Sequence, residues 1–309
     1  MPDLCKGRVV IVTGAGAGIG REEALEFGRQ GAKVVVNDLG VDLHGNDTNL
    51  AAADRVVEEI RAEGGEAIAN GEDVSDWDGA RRLVHSAVDT YGQLDVLVNN
   101  AGILRDRMLV NMTMEEWDSV IRVHLRGTFA PTRHAAEYWR TESKNGTPRD
   151  ARIINTSSGS GLYGNVGQSN YGAAKAGIAA MTIIISDELA RYGVTVNAIA
   201  PAALTRMTED RKIGERARLI DQTGGFNEWA PDNIAPLVVW LGSDQSSDVT
   251  GRVFNVRGGL VGVAESWSLG PEEDKGARWK PEELSDVVPR LLAAARPNTR
   301  FHSTDARPS

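Results

Sequence analysis

Short apolar runs alternate with stretches of helical periodicity over most of the chain. Residues 8–13 (RVVIVT), 33–38 (KVVVND), 66–70 (EAIAN), 94–99 (LDVLVN), 152–157 (RIINTS), 194–199 (VTVNAI) and 252–256 (RVFNV) read as seven strands. Several are almost unbroken apolar runs, the pattern of strands covered on both faces. Helices are expected between them at residues 18–29, 50–63, 76–91, 114–140, 169–191 and 231–242. Within residues 50–63, Ala53, Val56, Val57 and Ile60 share one helical face and the charges take the other. Strand–helix alternation of this kind predicts an α/β fold: a doubly wound, seven-stranded parallel sheet with helices on both faces. Residues 39–49 and 141–150 interrupt the rhythm as polar loops. Beyond the seventh strand, Gly/Pro-rich and charged stretches surround one helix candidate, residues 281–295. The expected organisation is therefore one domain over residues 1–259 and an extension wrapped on it over residues 260–309, with a frayed tail from residue 296.

Composition narrows the classes. A chain of 309 residues with 41% hydrophobic and 25% charged residues is ordinary globular material, which excludes disorder and a disulfide-stapled miniprotein. The formal charge of −9 opposes a polyanionic partner, so nucleic acid is not expected. It leaves room for a phosphate-bearing small molecule held by backbone N–H groups. No run of eighteen apolar residues occurs, so no membrane partner is expected. The opening MPDLCKGRVV has no apolar signal core, and the closing ARPS is not a peroxisomal address. With a single cysteine, Cys5, these features make a cytoplasmic setting the expectation.

The first candidate chemistry lies at residues 13–20, TGAGAGIG, between the first strand and the first helix. Strict G-x-G-x-x-G spacing fails, because Ile19 stands where the third glycine would fall. Gly14, Gly18 and Gly20 instead make T-G-x-x-x-G-x-G. A turn free of Cβ atoms lets backbone approach a pyrophosphate at a helix N-terminus, as in a Rossmann-type fold. Asp38, ending the second strand, is placed to accept hydrogen bonds from adenosine ribose hydroxyls and to repel a 2′-phosphate. No Lys or Arg occurs in residues 39–49 to receive such a phosphate, so NAD is favoured over NADP. Asp73 follows the third strand, where an adenine amino group would lie; its alternative is capping a helix that starts near Ser75.

Tyr171 and Lys175 stand at i and i+4 near the start of a long helix, so both project from one face. The residues between them, Gly172, Ala173 and Ala174, are small enough to let another body approach. An ammonium beside a phenol favours phenolate, which makes a proton acceptor for an alcohol. Ser157 and Ser158 finish the fifth strand, at the carboxyl edge where open α/β sheets place ligands. Each feature alone has an ordinary structural explanation.

Their conjunction does not. TGAGAGIG, NNAG at residues 99–102, Ser158 thirteen residues before Tyr171, and Lys175 together resemble the short-chain dehydrogenase/reductase family over residues 6–259. A closer layer resembles the hydroxyacyl-CoA dehydrogenase domains of the type-two peroxisomal multifunctional enzymes. It is carried by NDLG (37–40), NNAGILRDR (99–107), VHLRG (123–127), SGLYGNVGQSNYGAAK (160–175), IAP (199–201) and RMT (206–208). The resemblance implies a single Rossmann-type domain and roles for the matching residues. Tyr171 would be the general acid/base, Lys175 would bind the nicotinamide ribose, and Ser158 would hold the substrate oxygen. Gly14, Gly18, Ile19 and Gly20 would cradle the pyrophosphate, and Asn100, Ala101 and Gly102 would line the nicotinamide half of the groove. Asp73 and Val74 would flank adenine, Asp38 would select NAD, and Pro201 would open the substrate-side loop. Many members carry a helix Asn that holds a proton-relay water. The matching position is His124, a further catalytic candidate that either serves that relay or packs in the helix.

The implied reaction is reversible hydride transfer between NAD and a secondary alcohol, with a (3R)-hydroxyacyl-CoA as substrate and no metal. Free steroids, polyols or small alcohols are the alternative, and an inactive NAD-binding scaffold is the reading from another class. Arg206 and Arg211 are candidate CoA contacts, although residues 205–229 carry no net charge. Met181, Ile183, Ile184 and Ile185 give the long helix more apolar surface than one sheet face needs, and family members pair through such helices. A homodimer or homotetramer is expected.

Overall fold

The computed structural model describes residues 3–40, 51–204 and 225–300. Eight strands form one sheet: β1 Val9–Thr13, β2 Lys33–Asn37, β3 Glu66–Asn70, β4 Val96–Asn99, β5 Ala151–Thr156, β6 Val194–Pro201, β7 Val253–Arg257 and β8 Leu260–Ala264. Their order is β3-β2-β1-β4-β5-β6-β7-β8. The seven expected strands are all present and parallel. β8 is an addition to the expected seven: it pairs antiparallel with β7, register Arg257↔Leu260, across the two glycines Gly258 and Gly259. The order reverses between β1 and β4, which opens a crevice at the carboxyl ends of these two strands.

The helices are α1 Gly18–Arg29, α2 Ala51–Ala62, α3 Trp77–Tyr91, α4 Met114–Ile121, α5 Gly127–Lys144, α6 Gly159–Tyr163, α7 Ser169–Leu189, α8 Ala235–Gly242 and α9 Leu284–Ala294. Two departures from expectation bear on the site. The single helix read over residues 114–140 is two helices joined through a π-turn, Arg122–Arg126. Residues 159–163, a glycine-rich stretch where no element is predicted, form the short α6.

Alternation along β1 splits the core between the two faces of the sheet. Val10 and Val12 meet Phe27 of α1, Val56 and Ile60 of α2, and Val238 of α8. Val9 and Ile11 meet Leu83 of α3 and Trp139 of α5. Trp139 is wholly buried, and its indole Nε1 donates to the Leu94 carbonyl at 2.7 Å, so its one polar atom is satisfied. Truncating Phe27 or Trp139 to alanine costs about 3–5 kcal/mol on the scale of buried aromatic deletions. Covering both faces this way leaves the strand ends as the place for chemistry.

The chain divides into two compact units, Met1–Ala264 and Glu265–Ser309. The first holds the whole sheet, including the five residues of β8. In the second, α9 follows a 3-10 turn at Pro281–Glu283, and ion pairs Lys275–Glu283 and Arg290–Glu273 tie the preceding strap to it.

Candidate active site

Thr13, the last residue of β1, ties the glycine turn to the turn after β4. Its hydroxyl donates to the Val98 carbonyl at 3.2 Å and accepts from the N–H groups of Asn100 and Ala101 at 2.9 and 3.1 Å. The Asn100 amide donates to the carbonyls of Thr13 and Gly14 at 3.0 and 3.2 Å. These bonds pull two loops so close that side chains do not fit. A Cβ on Gly14, whose φ is +64°, would lie 2.7 Å from Ala101 Cα. A Cβ on Gly20 would lie 2.5 Å from the Gly14 carbonyl oxygen and closer still to the Asn100 amide.

The donor set suits a dinucleotide. Helix α1 opens on Ala17, which provides no side-chain cap, and no acidic residue sits in its first turn. The N–H groups of Gly18, Ile19 and Gly20 are thus offered to an anion, and the helix dipole favours one. Asp38 stands beside them: Oδ2 accepts from Gly16 N and Oδ1 from Gly40 N, each at 2.7 Å. Each carboxylate oxygen keeps a lone pair for a ribose hydroxyl.

Asp73 has a different role from its alternative reading as a cap. The cap of α3 is Asp76, whose side chain accepts from Gly79 N. Asp73 instead staples its own turn, Oδ1 accepting from Ser75 N and Oγ at 2.7 Å, with Arg122 Nη1 3.4 Å from Oδ2. Val74 is buried in the core and supports this turn from below. Pro201 ends β6 at the same carboxyl edge, paired with Val256.

At the ends of β4 and β5 a buried amide ladder fixes the strands that carry the reactive groups. Asn99 donates to Thr132 Oγ1 and Asn155 Oδ1, and Asn155 donates to Thr182 Oγ1, all at 2.9–3.0 Å. Ser157 Oγ donates to the Lys175 carbonyl at 2.8 Å and docks α7 on the end of β5. Lys175 Nζ donates to the Thr156 carbonyl at 2.5 Å and lies 5.6 Å from the centre of the Tyr171 ring. Lys175 is only 3% exposed, and desolvation pushes its ammonium down to about 7. Ser158 caps α6, its Oγ accepting from Ser160 N at 3.1 Å, which leaves its O–H free to donate. Tyr171 is half-buried, on the α7 face that also holds Lys175.

The structure therefore brings Tyr171, Lys175 and Ser158 to the carboxyl edge where the glycine turn, Asp38 and the residues Asn100–Gly102 also lie. His124, in the π-turn, packs against Tyr171 with ring centres 5.1 Å apart. Arg206 and Arg211 lie outside the described residues.

Several supporting residues escaped the sequence reading. Thr13 was visible only as the residue before the first glycine, and Gly16 as an apparent spacer, although a Cβ there would lie 2.7 Å from Asp38 Oδ2. Gln168 is 4% exposed and ties α6 to two loops: it accepts from Ser160 Oγ and Asn165 Nδ2 and donates to Asp106 Oδ2. Asn170 donates to the carbonyls of Arg105 and Glu116, and so ties the start of α7 to α4. Their only sequence signal is a polar cluster, GQSN, directly ahead of Tyr171.

A family model described as short chain dehydrogenase matches residues 8–215. The chain is 43% identical to the hydroxyacyl-CoA dehydrogenase ChsB1 of Mycobacterium tuberculosis, over 97% of this chain and 93% of that protein. It is 44% identical to the peroxisomal multifunctional enzyme type 2 of Mus musculus over 83% of this chain, matching only 32% of that longer protein. Among solved structures, a short chain dehydrogenase from Mycobacterium avium superposes with a TM-score of 0.86 at 56% identity, covering 97% of this chain and 99% of that one. The chain belongs to the short-chain dehydrogenase family and is an oxidoreductase acting on CH–OH groups.

Proposed function

We propose that the protein is an NAD-dependent 3-hydroxyacyl-CoA dehydrogenase that oxidises its substrate to the 3-oxoacyl-CoA, reversibly, in lipid β-oxidation. The observation that carries the reading is the buried Lys175 ammonium, anchored on the Thr156 carbonyl 5.6 Å from the centre of the Tyr171 ring. NAD, when bound, supplies the hydride acceptor. Gly14, Gly18, Ile19 and Gly20 hold its pyrophosphate, Asp38 its adenosine ribose, and Asp73 and Val74 its adenine. Asn100, Ala101, Gly102 and Pro201 frame its nicotinamide end. The Asp38 carboxylate, already accepting from Gly16 and Gly40, argues for NAD over NADP because a 2′-phosphate would face its negative charge.

Tyr171 Oη takes the proton from the substrate hydroxyl as the carbinol hydride departs. Ser158 Oγ–H donates to the substrate oxygen and keeps it in line with Tyr171. Lys175, in its protonated form, would stabilise negative charge on the phenol oxygen, and ribose hydroxyls of a bound cofactor would favour that form. The name of the 43% identical hydroxyacyl-CoA dehydrogenase supports the thioester class.

A homodimer or homotetramer belongs to the same reading. Ile184 of α7 is 57% exposed and Phe129 of α5 is 45% exposed, and Phe129 leans on the exposed Trp77 with ring centres 6.2 Å apart. That apolar surface is what a second copy would cover. A cytoplasmic setting belongs to the same reading, with Cys5 a free buried thiol. Among the described residues no helix is long and apolar enough to cross a membrane.

The test follows NADH formation with a panel of 3-hydroxyacyl-CoA thioesters and the matching free alcohols. The thioesters should turn over with NAD, and Tyr171→Phe should lower kcat by about 10²–10⁴-fold. Faster oxidation of the free alcohols would move the substrate to that class, and wild-type activity in Tyr171→Phe would overturn the mechanism.

A further inference from the structure

The π-turn Arg122–Arg126 interrupts what the sequence reads as one helix, and π-turns concentrate at functional sites. Its central residue, His124, is 1% exposed and touches three parts of the site at once. Nε2 lies 2.7 Å from the Ile103 carbonyl oxygen and 3.1 Å from Ile103 N. The ring stands edge-on to Tyr171, 86° between planes and 5.1 Å between centres. Gly102 rests directly against the ring, so that a Cβ there would be driven into Cε1.

We propose that His124 is a positioning residue, a hydrogen-bonded strut that locks the Gly102–Ile103 turn and the Tyr171 ring in one register, and not a proton carrier. The inference rests on the dehydrogenase reading above and assigns one residue within it. Nε2 faces both polar groups of Ile103: it accepts from the N–H at 3.1 Å when bare or donates to the carbonyl at 2.7 Å when protonated, so either neutral tautomer keeps a bond to that turn. Nδ1 is buried without a hydrogen-bond partner. Among the described residues, the titratable side chains acting on the ring are both from α7: Tyr171 in contact and Lys175 through its charge. Burial and the Lys175 charge push the imidazole down to about 3, against the smaller opposing pull of the Ile103 carbonyl. An imidazole that stays neutral over the working range cannot load and unload a proton there. What it supplies is geometry, and a misplacement of about 1 Å at a reacting group can cost about 10²-fold in rate.

Two arms test this. In the first, the ligand-free wild-type protein is labelled with ¹⁵N-histidine, and His124 is assigned by its loss in a variant. Its ring nitrogens are followed by NMR from about pH 5 to about pH 9. The expected signature is a neutral imidazole throughout; a titration midpoint inside that window would overturn the proposal whatever the substrate proves to be. The second arm separates the two contacts. His124→Phe keeps a ring against Tyr171 but loses the Ile103 bond, and His124→Asn keeps a donor for Ile103 but loses the ring. Both should lower kcat by about tenfold or more, and only His124→Phe should also raise the KM for NAD, because the cofactor-side turn loosens. The acid limb of the kcat–pH profile should stay where it is in both. Full kcat in both variants, or an acid limb that moves, would overturn the assignment.

Discussion

Glu23 offers a test of the packing that holds the glycine turn in place. It lies in α1, three residues after Gly20, wholly buried, with both carboxylate oxygens lacking a hydrogen-bond partner. Desolvation alone pushes its carboxyl from the ordinary 4.5 up to about 8. In the unfolded chain the group ionises near 4.5, whereas in the native protein it holds its proton until about 8. Below 4.5 both states are protonated and pH has no effect through this residue. Between the two values the unfolded chain sheds a proton that the native one keeps, so stability falls by about 1.4 kcal/mol for each pH unit. The loss reaches about 3 kcal/mol by pH 7 and levels off above about pH 8, near 5 kcal/mol. Glu23→Gln carries a similar shape and no ionisation. Urea unfolding of both proteins, at one protein concentration across this range, should show wild type losing stability relative to the variant along that slope. The reasoning fails if the two stability–pH curves run parallel.

Other outcomes follow from the site. Gly20→Ala should abolish NAD binding and lower stability by about 1–3 kcal/mol, because its Cβ meets the Gly14 carbonyl oxygen and the Asn100 amide; titration calorimetry and thermal melting measure both. Asp38→Ala frees the N–H groups of Gly16 and Gly40, so NAD affinity should fall about tenfold or more while discrimination against NADP shrinks; paired KM values for the two cofactors read this directly. The ligand-free Lys175 ammonium titrates near 7, lowered by burial, so it is charged below that pH and neutral above it. Binding of NAD at about pH 8 should therefore take up a proton, seen by calorimetry in buffers of different ionisation enthalpy. Lys175→Met should show no uptake.

Much of the fold was legible because the strands are continuous apolar runs with turn residues at their ends, and the parallel sense of β1 to β7 follows from strand–helix alternation. The reactive set was legible because its members sit at fixed offsets: glycines after a strand, Asp38 after the next, and Tyr171 and Lys175 one helical turn apart. β8 escaped although its signal is present. Gly258 and Gly259 between VFNVR and LVGVA are a two-residue hairpin loop, and Gly258 has a φ of +50°. The π-turn at His124 left no mark, because one extra residue in a helix shifts the apolar period too little to read over five residues. Asp73 and Asp76 both precede a helix, and only the side-chain geometry decides that Asp76 caps it. The Gln168 and Asn170 networks join loops distant in sequence, and no local pattern announces such contacts.

The central claim is that Tyr171, braced by Lys175, acts on a carbinol lying against the nicotinamide of NAD. A crystal structure with NAD and a non-reactive 3-hydroxyacyl-CoA analogue measures it most directly. The account predicts nicotinamide C4 about 3–3.5 Å from the carbinol carbon, and Tyr171 Oη about 2.6–3.2 Å from its oxygen. A nicotinamide ring bound away from Tyr171, or a phenol oxygen out of hydrogen-bond reach of the carbinol, would contradict it.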